Sequence, residues 1–420
     1  MSRVVVATRL FAPEPAAASF RLAALVDALV AQGDDVTVLT TRPRPGSEAG
    51  AATPADPPVA GGARVRRWPV LRDASGYVRG YLPYLSFDFP LALRLLVTRR
   101  PDVVVVEPPP TTGMVVRAVC ALRRAPYVYY AADVWSDAVV SDGGSALVRG
   151  VLGWLESGAL RGARGVLAVL PAVADRVRAL AGRPVDLEVV PHGIDTAVFT
   201  RQPVDTDTDA DRPDEAPPRY LVYTGTTSSW HGADVFVRAL AAVRAHVDVD
   251  LVLLGHGSQW EEIGALADEL VPGHVHRRPM VPPAEAARWL RHAEAAVVSL
   301  KPGQNYDMAF PTKLLAAVAC GTPVVFSGVG PARDLMAAHD LGRAVAFDAD
   351  DVAAALVDLL ASAEVTDPTT RATRRDALAE WAAEHVSLQG SGAQAARAVR
   401  RWALQRPGGP TAQDSEDQTA

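Results

Sequence analysis

Two lysines stand in the whole chain, Lys301 and Lys313. Of 42 Lys plus Arg, 42 − 2 leaves 40 arginines. Lys313 lies in "FPTKLLAAVACGTPVV" (310–325). Leu314, Leu315 and Val318 recur at helical spacing and Pro311 suits a first helical turn. Gly321 and Pro323 read as the stop before a strand Val324–Phe326. That pattern puts Lys313 beside free backbone N–H groups, where a cation is unfavourable by ~0.3–1 kcal/mol unless an anion binds as well. A solvated lysine at a helix start is the plain alternative, and Lys301 is the weaker candidate of the two. The preceding loop "KPGQNYDMAF" (301–310) carries Gln304, Asn305 and Asp307, hydrogen-bonding groups that could wrap a ligand.

Other loops have related chemistry. "VLLGHGSQW" (252–260) reads as a strand, a Gly255-x-Gly257 turn and a helix start, where glycines let backbone approach a phosphate or sugar. Trp260 occupies the third glycine position of a dinucleotide fingerprint, so phosphate or nucleotide-sugar contact ranks above NAD, with a plain tight turn as the bland reading. "VYTGTTSSWHG" (222–232) is another strand with a polar loop. Its His231 could donate to a diphosphate or simply be solvated.

In the first half, "FAPEPAAASFRL" leads into a helix through the small residues Ala16–Ser19, with Arg21 in the first turn. "VEPPPTTG" (106–113) ends a strand at Glu107, and "YYAADVWSD" (129–137) brings Asp133, Trp135 and Asp137. These suit sugar hydroxyls and faces, with a structural role the plainer reading of Asp137. "DTDTDAD" (205–211) lacks the Gly and terminal Glu of a calcium loop and reads as solvated linker. "SGYVRGYLPYLSFDFPLALRLL" (75–96), broken by Pro83 and Pro90, reads as core packing, with an amphipathic surface as the alternative.

Behind these loops, short β-branched runs alternate with Ala/Leu/Arg-rich helical stretches, the pattern of parallel α/β sheets. Strands are expected at Val4–Thr8, Val36–Thr40, Val65–Trp68, Val103–Val106, Tyr127–Tyr130, Gly165–Val169 and Leu187–Val190. The pattern restarts with "RYLVYTG", "VDLVLLG", "VHRRPMV", "AAVVSL", "TPVVFSG" and "RAVAFD". Two doubly wound, Rossmann-like domains follow, 1–199 and 219–385, joined by a linker 200–218. A C-terminal helix 386–405 is expected to cross the domain junction ahead of a disordered tail 406–420. Open α/β sheets bind ligands at the C-terminal ends of their strands, so the two domains should face a cleft.

Composition limits the function classes. At 420 residues, 49% hydrophobic and 21% charged, the chain is long enough for two or three domains of ordinary globular make-up. Cys120 and Cys320 are too few and too far apart for a disulfide framework, which fits a reducing compartment. No charged n-region followed by an apolar h-region opens "MSRVVVATRLF", which reads as a first strand, and without an apolar run of roughly 18 residues no membrane span is expected. Residues 1–199 carry 22 Arg/Lys against 18 Asp/Glu, a surplus of 22 − 18 = 4, within a chain of net charge −6. That is far short of a nucleic-acid-binding signature.

Taken together, the chain resembles the family 4 glycosyltransferases of GT-B fold, most closely the bacterial cell-surface polysaccharide type. The resemblance rests on "PE-x-x-A-A-x-x-R" at Pro13 to Arg21, "P-[ST]-K" before "A-C-G-T-P-V-V" at Pro311 to Val325, "HGIDTAVF" (192–199) and "LLGHG". Departures are visible too. The family's Glu-x7-Glu pair falls on Met308 and Ala316, its Arg and Lys diphosphate grip on Thr226 and His231, and its acceptor-side His-Asp on Ala132-Asp133. Losing a bidentate ribose grip weakens donor binding by ~1–3 kcal/mol unless Gln304, Asn305 or Asp307 substitutes.

The resemblance implies transfer of a sugar, with retention, from a nucleotide diphosphate sugar to a glycan, lipid-linked or small-molecule acceptor. UDP is the first choice of nucleotide, as substrate, and neither metal nor cofactor is expected. It implies Lys313, Asp133 and Arg21 as the catalytic set. Gly225, Thr226, His231, Gly255, Gly257, Met280, Gln304, Asn305, Asp307, Phe310, Pro311, Thr312 and Lys313 would hold the donor. Ala17, Ala18, Arg21, Glu107, Asp133 and Trp135 would hold the acceptor. A cytoplasmic place at the inner face of the plasma membrane, touched through the N-terminal domain, completes the expectation. A catalytically silent GT-B binding or scaffold protein is the rival, and an NAD oxidoreductase rests on Gly255-x-Gly257 alone.

Overall fold

The computed structural model describes residues 1–14, 16–43, 62–73, 78, 80–137, 146–201, 211–304 and 306–405. Contacts divide the chain into two units, Met1–His192 with Leu388–Ala420, and Gly193–Ser387. The first unit holds strands β1 (Arg3–Ala7), β2 (Asp35–Thr41), β3 (Arg64–Trp68), β4 (Val103–Val106), β5 (Tyr127–Ala131), β6 (Gly165–Ala168) and β7 (Leu187–Val189). Their order is β3-β2-β1-β4-β5-β6-β7, with every pair parallel. The second unit holds β8 (Tyr220–Thr226), β9 (Asp250–His256), β10 (Val275–Arg278), β11 (Ala295–Leu300), β12 (Val324–Gly328) and β13 (Gly342–Val345). They run β10-β9-β8-β11-β12-β13, again all parallel.

Both sheets are doubly wound, as the alternation of strand and helix patterns predicts. Central strands of such a sheet are buried on both faces and so are nearly continuous in apolar residues. The four valines of β4 are all buried, as are all of Ala295–Leu300 in β11. The edge strand β3, "RVRRW", alternates exposed and half-buried residues and can afford three arginines. In each sheet the winding reverses once, between β1 and β4 and between β8 and β11. Loops leaving the C-terminal ends of those strand pairs splay apart and leave a crevice, the usual ligand position of this architecture.

Three boundary expectations need correction. Residues 193–201 belong with the second unit: Ile194 bridges Ser387 and Phe199 packs on the second core. Linker residues 202–210 lie outside the described residues, and the last acid of the 205–211 run is not solvated, because Asp211 accepts from Arg291 at 2.6 Å and pairs with Arg288 at 3.2 Å. The C-terminal helical run divides in two. Helix Pro368–His385 sets Trp381 against the second core, whereas helix Leu388–Leu404 buries Trp402 completely in the first. The tail 406–420 lies outside the described residues.

Helix Leu388–Leu404 lies along helix Ala17–Ala31 at close range: a Cβ on Gly392 would come within 2.5 Å of the Ala24 carbonyl oxygen. Gln394 donates to Val189 O at 3.1 Å and Arg400 to Gln32 Oε1 at 2.9 Å. The segment 75–96 also differs from its sequence reading. A single helix, Tyr81–Val97, runs through Pro90, burying Phe87, Leu91 and Leu95 while Leu82, Leu85, Phe89 and Leu93 stay exposed. Among the described residues no helix is long and apolar enough to cross a membrane. Because Trp402 fills the first core from the far end of the chain, Trp402→Ala should destabilise this unit by ~3–5 kcal/mol in chemical denaturation. An unchanged midpoint would detach that helix from the unit.

Candidate active site

At the crevice of the second sheet, the Lys313 ammonium donates to Tyr223 Oη at 2.7 Å and approaches Thr226 O at 3.5 Å. It also lies 3.8 Å from the centroid of the Tyr223 ring. Tyr223 is completely buried on β8 and donates its own hydroxyl proton to Thr226 O at 2.7 Å, so the lysine's acceptor is itself fixed. Lys313 keeps some exposed surface, but its ammonium is enclosed, and burial lowers its pKa from 10.5 to about 7. Among the described residues no carboxylate lies within ion-pair reach of it. An enclosed cation with no counter-charge is costly unless an anion arrives.

The helix that carries Lys313 begins at Lys313 itself and runs to Ala319, so Pro311 and Thr312 precede it rather than forming its first turn. Its end is as the sequence predicts. Gly321, at φ +70°, donates to Val318 O and Thr322 donates to Ala317 O, the paired bonds of a glycine-terminated helix. Leu314 to Ala319 are all buried, Ala316 included, and so is Pro311, which leaves Thr312 and Lys313 as the half-buried residues here.

The glycines have a different reason from the one the sequence suggested. A Cβ on Gly255 would collide with the Gly225 carbonyl, and one on Gly257 would lie 2.5 Å from Thr227 O. It is the neighbouring backbone, not a ligand, that demands them. The two loops are then tied together by Thr227 N–H to His256 O (2.9 Å) and Gln259 N–H to Thr227 O (3.0 Å). Gly225, at φ +98°, sits where a Cβ would come 3.5 Å from Lys313 Nζ, so it borders the cation directly.

His231 is not solvated. It is buried, its Nδ1 shares a hydrogen with Ser228 Oγ at 2.8 Å, and its ring stacks on Trp230 at 3.6 Å. Burial and then the nearby Lys313 lower its pKa to about 3, so it is neutral near pH 7. Trp230 stacks in turn on Tyr306 at 4.7 Å, which binds this loop to the 301–310 loop. There, Asp307 Oδ1 accepts from Gly303 N–H at 2.9 Å and so closes its own turn. Gln304, Met308 and Met280 are exposed, Phe310 is half-buried, and Asn305 lies outside the described residues. Lys301 is exposed and contributes only its backbone N–H, to Trp230 O.

At the crevice of the first sheet, helix Ala17–Ala31 sets Arg21 against Glu107, which follows β4, in a buried ion pair. Thr8, just after β1, donates to Leu10 O at 2.8 Å and reaches Glu107 Oε2 at 3.4 Å. The Arg21 guanidinium lies 4.9 Å from the Tyr130 ring centroid. Burial opposes its charge, Glu107 more than restores it, and its pKa is raised. Arg21 is therefore charged but already compensated, unlike Lys313.

Asp133 keeps an exposed face yet is hemmed in by protein, which raises its pKa, with Arg21 pulling the other way. Such a carboxyl is suited to orienting a hydroxyl and receiving its proton. Trp135 donates its backbone N–H to Glu156 at 2.9 Å, its ring meets Tyr84 edge-on at 5.9 Å, and Arg9 lies over both rings. Asp137 is taken by Arg176 in a bidentate pair at 2.7 Å, a structural role. Ala17 and Ala18 open a helix that has no side-chain cap.

Sequence reasoning missed three participants. Tyr223 looked like a strand residue, and only its pairing 90 positions away with Lys313 gives it a role. His192, within "HGIDTAVF", is brought close to Arg21; burial, then Arg21, lower its pKa to about 3. Glu156 holds the backbone of Trp135 and Ser136 from a helix 20 residues on. Among the described residues no cluster of three or more His, Cys, Asp or Glu could hold a metal ion.

Comparison with known proteins bears on the family and the fold. Residues 17–193 match the Glycosyl transferase 4-like domain and residues 218–362 match Glycosyl transferases group 1. The D-inositol 3-phosphate glycosyltransferase of Paenarthrobacter aurescens is 31% identical over 183 residues, 40% of this chain and 42% of the relative. The phosphatidyl-myo-inositol mannosyltransferase of Mycolicibacterium smegmatis is 30% identical over 178 residues, 42% of this chain and 43% of the relative. The chain thus spans about two fifths of the length of the curated relatives it matches. Among solved structures, sucrose-phosphate synthase of Thermosynechococcus elongatus superposes with TM-score 0.71 at 17% identity, covering 96% of this chain and 99% of that one. Anabaena HepE, solved with UDP-glucose, gives TM-score 0.66 at 15% identity over 96% and 100%. These two likenesses are of fold, the two-domain GT-B architecture.

Two outcomes follow from the buried charges. The folded pKa of Lys313, about 7, lies below its ordinary 10.5, so between those values the unfolded chain binds more protons and stability rises with pH. Lys313→Met should therefore raise the melting temperature at pH 6 and leave it nearly unchanged above pH 10; a loss of stability at pH 6 would show that the ammonium is not enclosed. Asp133→Asn should keep or raise the melting temperature at pH 7 while cutting turnover by roughly 10²-fold. Unchanged turnover would remove Asp133 from the site.

Proposed function

The chain belongs to the glycosyl transferases of the 4-like and group 1 families. On that premise we propose that it moves a sugar, with retention, from a nucleotide diphosphate sugar to a glycan, lipid-linked or small-molecule acceptor. The observation that carries this reading is the Lys313 ammonium, enclosed at the β8/β11 crevice with no carboxylate beside it among the described residues. A diphosphate supplies the missing charge. Tyr223 holds one of the three Nζ protons and Thr226 O, at 3.5 Å, draws weakly on a second, which leaves Nζ able to donate to phosphate oxygens.

In the proposed reaction the bond from the anomeric carbon to the diphosphate breaks and the bond to the acceptor oxygen forms on the same face. The acceptor proton leaves with the diphosphate, aided by Asp133. Negative charge grows on the leaving oxygen in the transition state, and a fixed cation in an enclosed site stabilises it more than water would. Lys313 fills the role a metal ion would otherwise take, so the reading needs none. Gly225 and Thr226 line the cation, and the Trp230–Tyr306 stack stiffens the loops beside it. UDP is the preferred nucleotide in this reading, since HepE, of the same fold, was solved with UDP and UDP-glucose.

The acceptor side is assigned to Arg21, Glu107, Asp133 and Trp135, with His192 added. Peripheral membrane contact, at the inner face of the plasma membrane during cell-surface polysaccharide synthesis, is assigned to helix Tyr81–Val97. Leu82, Leu85, Phe89 and Leu93 are exposed along it, and its single acid, Asp88, is buried. An apolar face without exposed acids suits an anionic lipid surface.

A thermal-shift screen of UDP-, GDP- and dTDP-sugars should show stabilisation by a UDP-sugar, and by calorimetry Lys313→Ala should bind UDP roughly 10- to 100-fold more weakly. Stabilisation by none of the nucleotides would sink the reading. Donor binding with neither transfer nor donor hydrolysis would favour a catalytically silent binding protein, for which the buried Ala316 in place of an acid is the supporting observation.

A further inference from the structure

The opposite end of the first sheet, where its strands begin, opens on a recess of about 1210 Å³. Arg3 starts β1, Tyr127 starts β5, and Asp102 and Asp186 stand just ahead of β4 and β7; all four line it. Seven arginines and two aspartates contribute to the lining, a surplus of 7 − 2 = 5 positive charges in a chain whose net charge is −6.

The plain explanation is helix capping. In a parallel α/β unit, helices end where strands begin, and their C-terminal carbonyls attract cations. Arg100 donates to Arg124 O at 2.5 Å, Arg161 to Ala181 O at 2.6 Å, Arg183 to Arg161 O and Arg117 to Gly158 O. Three helix ends, at Arg123, Gly162 and Ala181, together offset about 1.5 charges at roughly half a charge each. More than half of the surplus is left over.

With Arg164 left aside the surplus is still 6 − 2 = 4, and among the described residues none of the ion pairs of this unit engages Arg3, Arg100, Arg117, Arg124, Arg161 or Arg183. Asp102 accepts from the Arg3 backbone N–H at 2.7 Å. Arg124 is held at φ +52°, a left-handed position that usually falls to glycine, so a cation stands on this rim against its backbone preference. A guanidinium has five N–H donors in a planar fork that matches phosphate, and one bond to a carbonyl leaves most of them available.

We propose that this recess binds an anion bearing two or more phosphate groups, independently of the donor site. Its size exceeds what a single phosphate would fill, and its charge suits a small polyphosphate. Arg117 and Arg161 also line a smaller neighbouring recess with Trp154, which is 68% exposed. The same arginines could therefore meet a soluble polyphosphate or the headgroups of a bilayer, and the test separates the two sources.

The full chain is titrated with sodium tripolyphosphate at low and physiological salt. It is also floated with phosphatidylcholine vesicles, with and without cardiolipin, whose headgroup carries two phosphates. Each measurement is repeated on Arg100→Glu/Arg183→Glu and on the milder Arg3→Gln/Arg124→Gln, with UDP binding as the control of folding and of the donor site. Binding should weaken with salt, fall at least tenfold in the charge-reversal variant, persist in Lys313→Ala, and leave UDP affinity within twofold. Tripolyphosphate binding identifies a soluble ligand; binding to anionic vesicles alone identifies headgroups. If the charge-reversal variant loses UDP binding, the glutamine variant decides by a threefold or greater loss. Binding of neither probe, or binding unchanged in the deciding variant, overturns the proposal.

Discussion

One buried ammonium organises the second unit. Lys313 Nζ rests on the hydroxyl and ring of Tyr223, and that hydroxyl is pinned to the Thr226 carbonyl. The arrangement asks for a strand that ends in a loop close to the helix start, which in turn requires Gly225 to leave β8 with positive φ. The loop is kept there by the close approach of Gly255 and Gly257 and by the Trp230–Tyr306 stack. Each of these features is ordinary. Together they hold a cation out of water without an acid to neutralise it, an arrangement whose cost is relieved by a bound anion.

The first unit handles charge in the opposite way. Arg21 is more deeply buried than the lysine, but Glu107 sits on it, and the pair closes the β1/β4 crevice with Thr8 and Tyr130 around it. That makes Arg21 a rigid, hydrogen-bonding wall rather than an anion clamp. Asp133 is the group left to titrate, with its ionised form disfavoured by its surroundings. The roles proposed for the two crevices, sugar hydroxyls in the first and phosphates in the second, follow from this difference, in whether the buried charge is already paired.

Much of this was legible in the sequence, and for a physical reason. β-branched runs locate buried strands, and each of the seven strands of the first sheet starts and ends within one residue of its expected position. Gly321 and Pro323 mark a helix end because few other residues can do so. Contacts distant in sequence were not legible: Tyr223 under Lys313, His192 beside Arg21 and Asp211 on Arg291 join residues 80 or more positions apart. Local punctuation also misled. Pro90 fails to break helix Tyr81–Val97, and the Gly255-x-Gly257 turn serves a neighbouring backbone.

The most direct test of the central claim is proton uptake on UDP binding at pH 8, measured by calorimetry in two buffers of different ionisation enthalpy. Free Lys313, with a pKa of about 7, is then largely neutral, while the UDP phosphates are ionised. If a diphosphate sits on Nζ, its charge raises the lysine pKa and binding takes up close to one proton, an uptake absent in Lys313→Met. UDP binding with no proton uptake, or with the same uptake in the methionine variant, would contradict the account.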